Sequence, residues 1–84
     1  MTEELKAELR EFIINAFMRG KGSVKDNESL FERGVMDSFG ILEFVSFIEK
    51  RFKISFNPSE ITIDNFNCIN RVAQLIQKKA KSRE

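Results

Sequence analysis

The chain has 84 residues, enough for one small domain, and its 42% hydrophobic and 32% charged residues are ordinary for a globular protein. Fourteen basic and thirteen acidic residues give a net charge of +1, so no overall field attracts nucleic acid. Histidine is absent, which excludes imidazole acid–base catalysis and histidine-ligated zinc, and we predict no metal site. The single cysteine, Cys68, cannot form an internal disulfide, which favours a reducing, cytoplasmic setting.

The ends of the chain differ in charge. Residues 71–84 hold five basic and one acidic residue (+4), whereas residues 1–70 hold nine basic and twelve acidic ones (−3). Cations stabilise the carboxyl end of a helix, so we interpret the basic segment as a helix end rather than as a nucleic-acid or lipid contact. No apolar run approaches ~18 residues, and we expect no membrane insertion and no signal peptide. We predict one domain over 1–84, with its core at about 3–80 and a frayed tail at 81–84.

The first predicted helix begins at Thr2, a candidate N-cap followed by two glutamates. Gly20 and Gly22 end it. Its apolar residues recur at spacings of three and four, and they are Leu5, Leu9, Phe12, Ile13, Ala16 and Phe17. The nine phenylalanines are the only aromatic residues, since Trp and Tyr are absent. Because Phe has no polar group, we predict that these rings lie in the core or on an apolar contact surface.

A long connection follows, from Gly20 to Met36, and connections of this length are typically functional or mobile. Within it, Asn27 is a candidate cap for a short turn that carries Leu30 and Phe31. Asp37 then opens the second helix as its N-cap. The buried stripe predicted for this helix comprises Ile41, Phe44, Val45, Ile48 and Phe52.

The last part of the chain contains a turn at 57–59 and an irregular segment at 60–66 with at most one helical turn. Asn67 is the predicted cap of the last helix. The buried stripe predicted there comprises Ile69, Val72, Ala73, Ile76 and Ala80. A short alternating run at 53–56 has no partner strand. The sequence therefore predicts an all-α fold, a bundle of three to four helices with a long first loop.

The pair Asp37-Ser38 is the candidate site for chemistry. With Asp37 as the cap, Ser38 occupies the first helical position, where its hydroxyl is exposed. A phosphate attached there would be stabilised by the helix dipole and by unpaired backbone N–H groups. Taken alone, an Asp-Ser pair is a very weak signal, because most such pairs only cap a helix.

The surroundings of this pair resemble a known family. Residues 29–45 carry a Leu-Phe pair, a glycine and then Asp-Ser, followed by apolar residues at helical spacing. This pattern resembles the phosphopantetheine-attachment region of the acyl carrier protein family, which includes peptidyl and D-alanyl carriers. Residues 49–54 and 66–73 resemble the end of that family's second helix and the entry into its last helix. The resemblance spans about residues 3–80 and implies an acyl-carrier-type helical bundle.

The resemblance implies a carrier rather than an enzyme. Ser38 would receive 4′-phosphopantetheine from coenzyme A through a holo-synthase, and Asp37 would cap the helix and contact that transferase. The arm's thiol would carry an acyl group, fatty or polyketide-like, as a thioester in a specialised lipid, lipopolysaccharide or secondary-metabolite pathway. The alternatives are an aminoacyl carrier, peptidyl or D-alanyl, or an unmodified helical interaction module.

The resemblance also implies that the second helix is the surface that partners contact. These partners would be the holo-synthase, a loading enzyme, and an acyltransferase or synthase. On a helical wheel, six residues lie opposite the buried stripe or on its flank. They are Phe39, Leu42, Glu43, Ser46, Phe47 and Lys50.

The fatty-acid-synthesis members of the family have an acidic second helix. Here Gly40 stands where they usually have Asp, and Lys50 and Arg51 follow Glu49. We therefore expect recognition to depend more on apolar contact than on carboxylates. We also expect a monomer, because a carrier visits several partners through transient interfaces.

Overall fold

The computed structural model describes the backbone of residues 2–82 and the side chains of residues 3–80. Within that range the chain is all-helical, with a single 3₁₀ turn at Pro58–Glu60 and no strand. This confirms the all-α fold predicted from the sequence. The four helices are α1 (Thr2–Phe17), α2 (Ser38–Phe52), α3 (Ile63–Phe66) and α4 (Ile69–Ser82).

The four helices surround one apolar core. α1 packs against α2 and α4, and the short α3 packs against the same two helices. α1 and α2 are antiparallel, because Phe17 at the end of α1 lies beside Gly40 in the first turn of α2, and Glu8 pairs with Arg51 in its last turn. The largest fully buried side chains are Phe44, Phe66, Leu9, Ile13, Leu30, Ile48, Ile69 and Val72.

The predicted stripes are largely confirmed. Leu9 and Ile13 are completely buried in α1, as are Phe44 and Ile48 in α2. Two alanines are exceptions, since both Ala16 and Ala80 are exposed. Each is a small residue near the carboxyl end of its helix and in contact with solvent.

The carboxyl end of α1 was also predicted from the sequence. Thr2, which was predicted as the N-cap, is the first residue of the helix, and its side chain lies outside the described side chains. At the other end, the amide of Gly20 donates to the carbonyl oxygen of Ile14 (2.9 Å). Arg19 and Gly20 both have positive φ, 57° and 76°, which closes the helix in the left-handed manner common at C-termini.

The long connection between α1 and α2 is packed onto the helices. Val24, Leu30 and Met36 are buried. The carboxylate of Asp26 pairs with the guanidinium of Arg10 in α1, and its carbonyl oxygen accepts from the amide of Asn70 in α4 (2.8 Å). The connection therefore contributes to the core rather than lying outside it.

Asn67 joins this connection to the end of α3. Its Oδ1 accepts from the Ser29 hydroxyl (2.9 Å) and the Phe31 amide (3.3 Å), and its carbonyl oxygen accepts from the Leu30 amide (2.7 Å). The prediction that Asn67 caps the last helix is therefore wrong. α4 begins at Ile69, and the Asn67 side chain is hydrogen-bonded to the first loop instead of to α4.

The turn within the loop is capped by Ser29 and not by Asn27. Ser29 Oγ accepts from the amide of Glu32 (3.2 Å), whereas Asn27 is exposed. Both residue types are good caps, so local sequence does not separate them. The contact of Ser29 with Asn67 decides between them, because it fixes the serine against α3.

The connection between α2 and α3, residues 53–62, is held by side-chain hydrogen bonds. Lys53, with φ of 55°, ends α2, and the Phe56 amide donates to Glu49 Oε2 (3.0 Å). Glu60 closes a capping box with Asn57 and accepts from Lys79 of α4 (2.7 Å). The hydrogen bond from Lys79, followed by that from the Asn57 amide, lowers the pKa of Glu60.

Replacing Asn67 by Ala should lower the free energy of unfolding by about 1–3 kcal/mol, because the Ser29 hydroxyl and Phe31 amide lose their shared acceptor. Asn27→Ala is the matched control, with an expected change within about 0.5 kcal/mol, since Asn27 is exposed. Urea unfolding followed by circular dichroism measures both. An equal cost for the two variants would contradict the role given to Asn67.

Candidate functional site

The pair Asp37-Ser38 lies at the start of α2 in the predicted geometry. Asp37 is extended (φ −124°, ψ −171°), and its Oδ1 accepts from the amide of Gly40 (2.8 Å). Its carbonyl oxygen accepts from the amide of Ile41 (3.0 Å). Asp37 is therefore the N-cap, and Ser38 is the first helical residue with an exposed side chain.

The loop before the site is fixed by the same contacts that order the connection. The carbonyl oxygen of Leu30 accepts from the amides of Val35 (3.0 Å) and Met36 (3.3 Å). Leu30 and Met36 are buried. The backbone that leads into Asp37 is thereby held to the core one residue before the cap.

Gly40 is buried in the first turn of α2, and its lack of a side chain lets Met36 and Phe17 approach the backbone closely. A Cβ at this position would lie 3.0 Å from Met36 Cγ and 3.2 Å from Phe17 Cε1. An aspartate there would displace one of these side chains. The structure therefore gives Gly40 a packing role, which the sequence comparison with acidic carriers did not reveal.

The start of α2 is suited to a phosphate ester. Its first turn contains no acidic residue after the cap, and the positive end of the helix dipole lies there. The Ser38 hydroxyl is accessible to an enzyme from solvent. Among the described residues, no group of His, Cys, Asp or Glu could hold a metal ion.

The outward face of α2 carries the six residues predicted from the helical wheel. Phe39 is 77% exposed and Leu42 is 59% exposed, although both are large and apolar. Glu43, Ser46 and Lys50 are also exposed.

Phe47 differs from the other five, because it is half-buried on the flank of this face. Its ring is stacked on Phe12 of α1 (ring centroids 4.2 Å apart, planes at 12°). The exposed apolar area near Ser38 therefore comes from Phe39 and Leu42.

Two charged residues of α2 make contacts within the domain. Glu49 accepts from the Phe56 amide, and Arg51 Nε donates to Glu8 Oε1 (2.7 Å). By contrast, Glu43 and Lys50 form no ion pair with any residue that the structure describes. Glu43 is thus the carboxylate of α2 that is available to a partner.

Comparison with known proteins identifies the class. Residues 7–76 match the family profile described as the phosphopantetheine attachment site, a span that includes Asp37 and Ser38. The chain therefore belongs to this family and is a carrier protein of the acyl carrier family.

Among its relatives are the D-alanyl carrier proteins of Streptococcus sanguinis, Streptococcus gordonii and Streptococcus thermophilus. Each is 37% identical to this chain over 71 residues, which cover 84% of the chain and 89% of the relative.

Membership of the family establishes the general role. The protein is a non-catalytic carrier with a covalently attached 4′-phosphopantetheine, added by a phosphopantetheinyl transferase. An exposed serine at a capped helix start fits such an ester. Carriers of this kind work with loading enzymes and with synthases or transferases. None of the helices described here is long and apolar enough to cross a membrane.

Asp37→Ala should lower stability by about 1 kcal/mol, because the Gly40 amide loses its cap acceptor. Asp37→Asn should retain most of the stability, since its side-chain oxygen accepts the same hydrogen bond. Thermal unfolding of the two variants gives the comparison. Equal loss in both would show that the negative charge, rather than the hydrogen bond, stabilises the helix start.

Proposed function

We propose that this protein carries D-alanine, or a similarly small aminoacyl group, as a thioester on a 4′-phosphopantetheine arm attached to Ser38. The observation that carries the proposal is the exposed Ser38 hydroxyl at the Asp37-capped start of α2, inside the span that matches the family. The names of the curated relatives support D-alanine. These names support an aminoacyl cargo better than the fatty or polyketide-like cargo that was the first prediction from the sequence.

The packing of the core agrees with a small cargo. Phe44 and Phe66 are completely buried and Phe56 nearly so. The ring centroid of Phe66 lies 6.2 Å from that of Phe44 and 5.4 Å from that of Phe56. A long acyl chain that entered the bundle here would have to displace these rings, and well-packed interiors resist such expansion. A small aminoacyl group needs no interior space.

The thiol of the arm forms the thioester with the cargo. The residues of α2 hold the arm's attachment point at the surface and form the contact surface for partners. The α2 cap holds Ser38 at the surface, and the apolar pair Phe39 and Leu42 lies beside it for a partner to contact. The unpaired Cys68 and the requirement for coenzyme A support a cytoplasmic setting for attachment of the arm.

Incubation with coenzyme A and a broad-specificity phosphopantetheinyl transferase should add the mass of one arm to the wild-type chain. Ser38→Ala should stay unmodified. Ser55→Ala is the matched control and should be modified normally, because Ser55 is an exposed serine outside α2 and its partner face. Intact-protein mass spectrometry gives the result, and modification of Ser38→Ala would refute the site.

The modified protein then tests the cargo. With ATP, a D-alanine-activating ligase and D-alanine, it should form a thioester that hydroxylamine cleaves. An acyl carrier synthetase supplied with a long-chain fatty acid should load it far less. The reverse order of loading would favour the fatty-acyl function.

The outward face of α2 should bind its partner mainly through apolar contact. Phe39→Ala or Leu42→Ala should weaken association with the ligase more than Glu43→Gln does. Burial is worth about 25 cal/mol per Å² of apolar surface, whereas an exposed ion pair contributes about 0.2–1 kcal/mol. Affinity measured between low and high salt should change little. A steep salt dependence with Glu43→Gln the most damaging change would show an electrostatic mode instead.

A further inference from the structure

The last residue of α1 contacts the turn that carries the candidate attachment site. Phe17 is half-buried, and its Cε1 would lie 3.2 Å from a Cβ built on Gly40. Met36 lies on the same side of Gly40, at 3.0 Å from that position. The absence of a side chain at Gly40 thus allows a ring from α1 to pack directly on the backbone of α2.

Phe17 is itself held by the core. Its ring meets Phe12 edge-to-face (centroids 5.8 Å apart, planes at 86°), and Phe12 is stacked on Phe44 (5.7 Å) and Phe47 (4.2 Å). The chain after Phe17 is fixed by the hydrogen bond from Gly20 that closes α1. A movement of the ring away from Gly40 would therefore disturb its edge-to-face contact with Phe12.

Gly40 connects this packing to Ser38. Its amide donates to the Asp37 cap, and it lies two residues after Ser38 in the same helical turn. The first turn of a helix is the part that frays most easily, because its amides lack partners within the helix. Here the Asp37 cap holds that turn through a hydrogen bond, and Phe17 and Met36 add packing against Gly40.

We propose that Phe17 is a positioning residue for the attachment of phosphopantetheine to Ser38, an inference that rests on the function proposed above. In that transfer Ser38 Oγ forms a bond to the phosphorus that bears pantetheine in coenzyme A. The bond from this phosphorus to the bridging oxygen breaks, adenosine 3′,5′-bisphosphate leaves, and the hydroxyl proton passes to a base of the transferase. The rate of such a step depends steeply on where the attacking oxygen lies.

The test compares Phe17→Ala with Phe52→Ala as substrates of the transferase with coenzyme A. Phe52 is a half-buried ring that packs against the core at the opposite end of α2, so its loss removes a ring of the same size away from the first turn. We expect kcat to fall about tenfold for Phe17→Ala with KM within about twofold of wild type. Phe52→Ala should match wild type in both constants, measured well below the unfolding temperature of each variant.

A second pair of variants tests the contact itself. Gly40→Ala should also lower kcat, because its Cβ crowds Phe17 and Met36. Gly40→Ala combined with Phe17→Leu should be faster than Gly40→Ala alone, since the smaller side chain provides room. Amide hydrogen exchange should be faster at Gly40 and Ile41 in Phe17→Ala and unchanged at Ile48, which is completely buried farther along α2.

The outcomes separate the two proposals. If wild type is modified at Ser38 and Phe17→Ala has the same kcat, the positioning role is overturned and the carrier function stands. Equal slowing of Phe17→Ala and Phe52→Ala would overturn the role as well, because both would then reflect general loss of packing. If wild type is not modified at Ser38, the proposed function fails, and the role of Phe17 fails with it.

Discussion

The hydrogen bonds that Asn67 makes to the first loop are the constraint on which the attachment region depends. Its carbonyl oxygen accepts from the Leu30 amide, and the Leu30 carbonyl oxygen accepts from the amides that immediately precede Asp37. Leu30 is fully buried between these two sets of bonds. An asparagine far along the chain thus determines where the backbone enters α2, and this placement brings Met36 against Gly40.

The charges of α2 are divided between structure and surface. Glu49 and Arg51 hold α2 to its neighbours, through the Phe56 amide and Glu8 respectively. Glu43 and Lys50 face solvent on the side that also exposes Phe39 and Leu42. A count of acidic and basic residues along the helix therefore overstates how much charge a partner encounters.

The helical stripes and the Asp37 cap could be predicted from the sequence because they follow local rules of spacing and capping. The roles of Ser29, Asn27 and Asn67 could not, since serine and asparagine both cap well and long-range contacts decide which residue does. From the sequence, Gly40 was interpreted only as a position that lacks the usual carboxylate. Phe17, which packs against it, lies far away in the sequence, so no local pattern indicates this contact. Local pattern thus predicted the helices and the candidate serine, but not the contacts that hold the serine in place.

The dependence of the attachment turn on Asn67 has a consequence for biosynthesis. The loop that precedes Asp37 obtains its anchors from Asn67 and Asn70, which the ribosome adds long after Ser38. A nascent chain that ends before them has the serine but lacks the contacts that order its surroundings. A transferase that recognises the ordered turn would therefore not modify incomplete chains, and no coenzyme A would be consumed on them.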